Sequence, residues 1–239
     1  MICISCNHEH EEKFCPNCGE KAGTKKITFA SIIEDAFSFI TNMDRGFLFN
    51  LINLTTNPHQ IVKLYLNGRR RAIFNPLTYF LLSITIYLVI ESFGLTFNEV
   101  DTGSSSDSST AYMTGKMAGK FIIKNLNIYW ASALLWISIA TRMLFSKYNM
   151  AEHLTINAFI LGHATLAGIF SHIVYWLPIM ADPFVYLVCL IMLYRIFKYD
   201  DEKPVILVKA FLSIIIFIIL IIASVFAIGT ALQEFNISV

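Results

Sequence analysis

Four thiols open the chain. Cys3, Cys6, Cys15 and Cys18 form two C-x-x-C pairs with eight residues between them. Thiolates at this spacing can close a tetrahedral shell around one zinc ion, each sulfur about 2.3 Å from the metal. All four positions are then taken by protein, so none is left for water, and the expected site is structural rather than catalytic. A twenty-residue segment has too little apolar core to fold alone, and the metal substitutes for that core. A redox dithiol pair and an iron–sulfur cluster are rival uses of the same residues, and His8 or His10 could replace one cysteine. Gly19 suits the positive φ that turns backbone amides toward the second pair. The intervening His8-Glu9-His10-Glu11-Glu12 is acidic, so nucleic acid is not an expected partner.

The body that carries this head is built for lipid. Hydrophobic residues make up 56% of the 239, and 15% are charged; soluble domains run at about 45–50% and about 25%. The excess falls in long runs, which is the membrane signature. Five candidate spans follow: Leu77–Phe97, Ile128–Phe145, Leu154–Leu177, Phe184–Phe197 and Val205–Ile228. The fourth is short against the roughly 17–25 residues a crossing helix needs, and would thin the bilayer or sit shielded by neighbours. The expected fold is an all-α membrane protein of about five transmembrane helices, preceded by interfacial helices and a small N-terminal zinc ribbon. Its regions are 1–24 (zinc ribbon and linker), 25–72 (cytosolic interfacial amphipathic helices) and 73–239 (transmembrane bundle).

Within the second region, Ile32, Ile33, Ala36, Phe37 and Ile40 recur at helical spacing, Gly46 to Leu54 is a second apolar stretch, and Pro58 opens a third helix through Leu66. These helices either lie in the cytosolic leaflet or pack against the bundle. Val100 to Thr110 reads as a flexible polar loop, and Lys116, Lys120 and Lys124 share one helical face.

Charge gives an orientation. Arg69, Arg70 and Arg71 precede the first span, Arg142 and Lys147 lie between the second and third, and Arg195, Lys198, Lys203 and Lys209 flank the junction of the fourth and fifth. A cytosolic N-terminus puts all three sets inside and leaves the C-terminus periplasmic; the Lys116/Lys120/Lys124 stripe is the exception. It also suits reduced thiols. No secretory signal is expected, because the chain begins with the metal motif. The arginine triplet could bind anionic headgroups or serve only as a topology determinant.

The third span is the most polar, carrying Asn157, His163, Thr165, Ser171 and His172, with Glu152 and His153 at its mouth. Ionisable residues inside a membrane are functional candidates. Yet His163 and His172 are nine residues apart and His153 and His163 ten, so at 100° per residue they do not share a metal site. Either these groups bond across the bundle, or a proton or solute path runs through His163. Ala158/Gly162 and Ala164/Gly168 are small-xxx-small pairs that permit close helix packing, within the chain or in a homo-oligomer. No nucleophile elbow, H-E-x-x-H or phosphate-cradling loop occurs, and no carboxylate pair is placed for acid–base work, so nothing argues for an enzyme.

Three segments taken together carry a likeness: Phe14-Cys15-Pro16-Asn17-Cys18-Gly19; Asn57-Pro58 through Asn67-Gly68-Arg69-Arg70 to Asn75-Pro76-Leu77-Thr78-Tyr79; and Tyr148-Asn149-Met150-Ala151-Glu152-His153-Leu154. The chain resembles a bacterial family of uncharacterised multi-pass membrane proteins with an N-terminal zinc ribbon, known only as a domain of unknown function. The likeness covers nearly the whole chain and implies an inner-membrane location and a zinc head. It brings no activity.

The leading expectation is a non-enzymatic inner-membrane protein with a structural zinc head that docks a protein partner or acts as a scaffold at the membrane. The alternatives are a small transporter or channel using the polar third span, and a membrane enzyme acting on lipid through Glu152, His153 and the basic cluster.

Overall fold

The computed structural model describes residues 1–20, 28, 46–71, 73–92, 126–175 and 177–234. The expected helix over Ile32–Ile40, the loop Val100–Thr110 and the lysine stripe lie outside them. Among the described residues the chain is helical apart from one isolated antiparallel bridge, Ile2 to Glu9. The helices are α1 (Gly46–Thr56), α2 (Pro58–Leu66), α3 (Pro76–Ser92), α4 (Leu126–Leu144), α5 (Met150–Tyr175), α6 (Pro183–Phe197) and α7 (Lys203–Glu234), with a 3₁₀ turn at Ile179–Ala181 before α6.

Two helices start by the same local device. Asn75 precedes Pro76, and its Oδ1 accepts from Leu77 N at 2.9 Å and Thr78 N at 3.1 Å. Asp182 precedes Pro183, and its Oδ1 accepts from Phe184 N at 2.9 Å. In each case the side chain satisfies an orphan amide while proline fills the first position, where no N–H is needed. α5 starts with a reciprocal capping box: Asn149 Oδ1 accepts from Glu152 N at 2.8 Å, and Glu152 Oε2 accepts from Asn149 N at 2.7 Å. The box places the helix start at Met150, four residues before the expected Leu154. Glu152 and His153, expected at the mouth of the span, are inside the first turn of the helix.

Gly68 ends α2. With φ at 94° it lets Gly68 N reach Tyr65 O at 3.1 Å and Arg69 N reach Leu64 O at 3.0 Å, a Schellman closure. The Asn67-Gly68 pair thereby turns the arginine triplet off the helix. Arg70 folds back over the Tyr65 ring, 5.2 Å from its centroid.

α5 is the axis of the bundle. It packs most extensively on α3 and also touches α1, α2, α4 and α6, while α7 lies against α4 and α6. Gly162 makes the α3 contact: a Cβ there would come within 2.8 Å of Tyr79 Cδ1 and 3.1 Å of the Phe80 Cα. Tyr79 is fully buried and Phe80 presents backbone, so neither yields easily. Gly162→Ala is expected to destabilise the bundle by about 1–3 kcal/mol through overpacking; thermal unfolding in detergent reads it, and an unchanged midpoint would refute the close contact.

α1 and α2 pack on the bundle. α2 buries Pro58, Ile61, Val62 and Tyr65 against α6 and α5. Arg195 of α6 reaches α1: Nη1 donates to Thr55 O at 2.7 Å and Nη2 to Thr56 O, closing the C-terminal carbonyls of α1.

Five spans are expected from the sequence; among the described residues two helices are long and apolar enough to cross a membrane by length and composition, Met150–Tyr175 and Lys203–Ser224. α7 buries a single stripe of Ile206, Ala210, Ser213, Ile214, Phe217 and Ile221. Its other faces expose Leu207, Val208, Phe211, Ile215, Ile219 and Ile222. A helix on a water-exposed surface carries polar residues there. α3 and α6 are shorter apolar helices, and α4 is a 19-residue helix over the stretch of the expected second span.

Candidate metal centre

The head consists of two copies of one knuckle, twelve residues apart. In the first, Cys3 N donates to His8 O at 3.0 Å and Asn7 N to Cys3 O at 3.0 Å; in the second, Cys15 N donates to Glu20 O at 2.8 Å and Gly19 N to Cys15 O at 2.6 Å. The fifth residue of each has positive φ, 58° at Asn7 and 70° at Gly19. Glycine takes this conformation freely, and asparagine is among the few other residues that tolerate it. Gly19 is as expected from the sequence. Asn7 is the equivalent that sequence reading missed, and the C-x-x-C-[Asn/Gly] repeat was its signal.

The two knuckles converge. Cys3 Sγ lies 3.4 Å from Cys18 Sγ and Cys6 Sγ 3.5 Å from Cys15 Sγ, and all four sulfurs fall within 4.8 Å of one another. No disulfide joins them. Four thiolates at about 2.3 Å from a central zinc would be about 3.8 Å apart, a value these separations bracket. The donor set therefore fits a metal ion bound by Cys3, Cys6, Cys15 and Cys18.

Electrostatics agree. The His8 amide, against burial, draws the Cys6 thiol down to about 6 with help from Cys18, Cys15 and Asn17. The Cys6 amide likewise lowers Cys3. Glu20's amide pulls Cys18 down too, but burial and its three thiol neighbours push it up to about 12. Sulfurs this close do not all ionise unaided, and a bound cation removes that conflict.

Around this centre, Ser5 Oγ donates to Glu20 Oε2 at 2.7 Å and ties the knuckles together, and the N-terminal ammonium donates to His10 O at 2.7 Å. His8 and His10 are not among the converging donors; His8 is exposed and His10 buried. Arg71 approaches the second knuckle, its Cζ 3.6 Å from where a Gly19 Cβ would be. Of the triplet, Arg69 is exposed, Arg70 covers Tyr65 and Arg71 meets the head.

The polar residues of α5 go to separate partners. His153 Nε2 donates to Phe145 O at 2.8 Å, so Nδ1, 3.1 Å from Thr141 Oγ1, is free to accept. Asn157 Nδ2 donates to Thr141 Oγ1 at 2.8 Å and Ser138 Oγ at 3.3 Å, joining α5 to α4. His163 lies between Tyr79 Oη at 3.3 Å and Thr55 Oγ1 at 3.4 Å. His172 Nδ1 donates to Leu177 O at 2.7 Å beside the Tyr87 ring. The four residues Glu152, His153, His163 and His172 are strung along α5 and do not form one site.

A family model described as a protein of unknown function (DUF3667) matches residues 44–88. The match spans α1, α2 and most of α3, including the Asn57–Tyr79 segment. No curated protein and no solved structure matches the chain. The chain thus resembles an uncharacterised family over the stretch from α1 to α3, and the metal centre lies outside it.

Proposed function

We propose that the chain is a multi-pass protein of the bacterial inner membrane whose zinc-bound head is a cytosolic docking module for a protein partner. The carrying observation is the surface of the head: Ile2 and Phe14 are 63% and 57% exposed, and Met1 and Ile4 are exposed too. A knuckle pair pinned by a metal does not need large apolar side chains turned outward. Apolar groups rimmed by polar residues are what a partner buries. The carboxylates Glu9, Glu11 and Glu12 are exposed on the same head.

The five-span reading is supported by α3, α4 and α6 packing in one bundle with α5 and α7. At 1.5 Å per residue, 17, 19 and 15 residues give lengths of about 25, 28 and 22 Å. The last is short for a hydrocarbon layer of about 30 Å and would thin it locally. Outward-facing Leu81, Leu135, Ile139, Leu187 and Ile191 are suited to lipid contact. Zinc is favoured over other metals because four thiolates in a closed tetrahedron match its ligand preference.

The test is photocrosslinking in living cells with a benzophenone amino acid at Phe14. A discrete protein adduct that disappears with Cys15→Ser/Cys18→Ser, at equal membrane levels, is the expected result. Adducts to lipid alone would overturn docking and lay the head on the bilayer.

A further inference from the structure

A groove of about 750 Å³ opens where α2, the α4–α5 connection and the α6–α7 turn meet. Its size is that of a small-molecule site. One wall is α2 with His59 and Lys63, and the facing wall carries Lys147, Tyr148, Tyr199 and Asp200. The α2 wall falls within the stretch matched by the family model. The metal centre does not account for it, and of the polar α5 residues Glu152 also lines it, with Oε2 already accepting from Asn149 N at 2.7 Å.

Asp200 is the unusual member. Its side chain is 8% exposed. Oδ1 accepts from Lys147 Nζ at 2.5 Å and, more weakly, from Tyr148 Oη at 3.5 Å. Oδ2 is buried and has no hydrogen-bond partner among the described residues. A carboxylate oxygen removed from water and left without a donor is costly and calls for one. The Asp200 contact raises the Lys147 pKa, so this lysine stays cationic. Lys63 and Lys147 are both exposed at the mouth and can face an anion. The walls are aromatic and held in place: His59 donates from Nδ1 to Ile196 O at 2.5 Å and meets the Tyr199 ring edge-on at 4.6 Å.

We infer that the groove binds a phosphoethanolamine group, with the ammonium donating to the Asp200 carboxylate and the phosphate held by Lys63 and Lys147. A primary ammonium supplies the N–H donors that the orphan oxygen lacks, and charge-assisted bonds of this kind are the strong ones. The groove lies at the ends of α4–α7, which is headgroup depth if these helices span, so the lipid source of the group rests on the membrane reading proposed above. The soluble source, a free phosphoethanolamine ester, does not.

The experiment uses the purified full chain in detergent and native mass spectrometry. The ligands are dioleoyl-phosphoethanolamine, the phosphocholine and phosphoglycerol lipids with the same chains, and soluble glycerophosphoethanolamine. About tenfold tighter binding of the ethanolamine form than of the choline form is expected, since a quaternary ammonium has no N–H. Asp200→Asn, which keeps the shape, should abolish that preference, and Lys63→Ala should weaken binding of both lipids. Preference among the lipids alone assigns the bilayer source; equal binding of the soluble ester assigns the free one. Equal affinity for ethanolamine and choline forms, or an unaltered preference in Asp200→Asn at an unchanged melting temperature, overturns the inference. Extraction of the chain from membranes by alkaline carbonate would count against the membrane reading, while the soluble arm would still test the groove.

Discussion

Removing the metal from the purified full chain is expected to unfold residues 1–20 and leave the helices in place. Among the described residues, little besides the Ser5–Glu20 bond, the N-terminal bond to His10 and Arg71 would hold the head. Its isolated bridge and a few backbone hydrogen bonds are short-range, and its large apolar side chains point outward. For modules of this kind the free energy of metal binding is the free energy of folding, about 10–16 kcal/mol in zinc-finger peptides. Elemental analysis should find about one zinc per chain, consistent with four ligands per ion. After chelation, or in Cys15→Ser/Cys18→Ser, the metal should be lost, and the amides of Cys3, Asn7, Cys15 and Gly19 should exchange at the rate of an open chain. Far-UV circular dichroism should scarcely change, because the helices lie elsewhere. Full amide protection after complete chelation would show that the head folds without metal.

The second large effect is expected at Asn50. This fully buried side chain reaches 24 residues along the chain to the backbone of Phe74: Nδ2 donates to Phe74 O at 2.9 Å, and Oδ1 accepts from Phe74 N at 3.1 Å. It pins α1 to the segment that leads into α3, and the Phe47 ring meets Phe74 edge-on beside it. Asn50→Leu fills similar space but removes both bonds from a buried backbone. Each such group costs about 1–3 kcal/mol, so the pair costs about 2–6 kcal/mol. Asn50→Asp retains the acceptor and should fall between the two. Asn53, whose amide bonds the Phe49 carbonyl of its own helix, should tolerate alanine within about 0.5 kcal/mol. Unfolding in detergent followed by tryptophan fluorescence ranks the four proteins; equal midpoints for wild type and Asn50→Leu would refute the pin.

Much of this architecture is written in short stretches of chain. Two C-x-x-C pairs converge because each knuckle is closed by hydrogen bonds spanning four or five residues, so spacing alone predicts the cluster. Asn75-Pro76 and Asp182-Pro183 start helices by bonds to amides two or three residues on. The Asn149/Glu152 box was equally legible, and passing over it misplaced the start of α5 by one turn.

The tertiary structure decided what depends on how helices meet. Hydropathy does not reveal that Arg195 closes the end of α1 from 140 residues away, or that Asn50 holds Phe74. Nor does it reveal that Lys63, Lys147 and Asp200 line one groove. A side chain's reach is a few ångströms, so such meetings are set by which helix faces pack, and that is a property of the whole bundle. Periodicity along α5 did separate His153, His163 and His172, because rotation per residue is local. Their partners, Thr141 and Phe145, Tyr79 and Thr55, and Leu177, come mostly from other elements. Residue spacing thus determined the metal cluster and the helix starts, and packing decided where each buried polar group finds its bond.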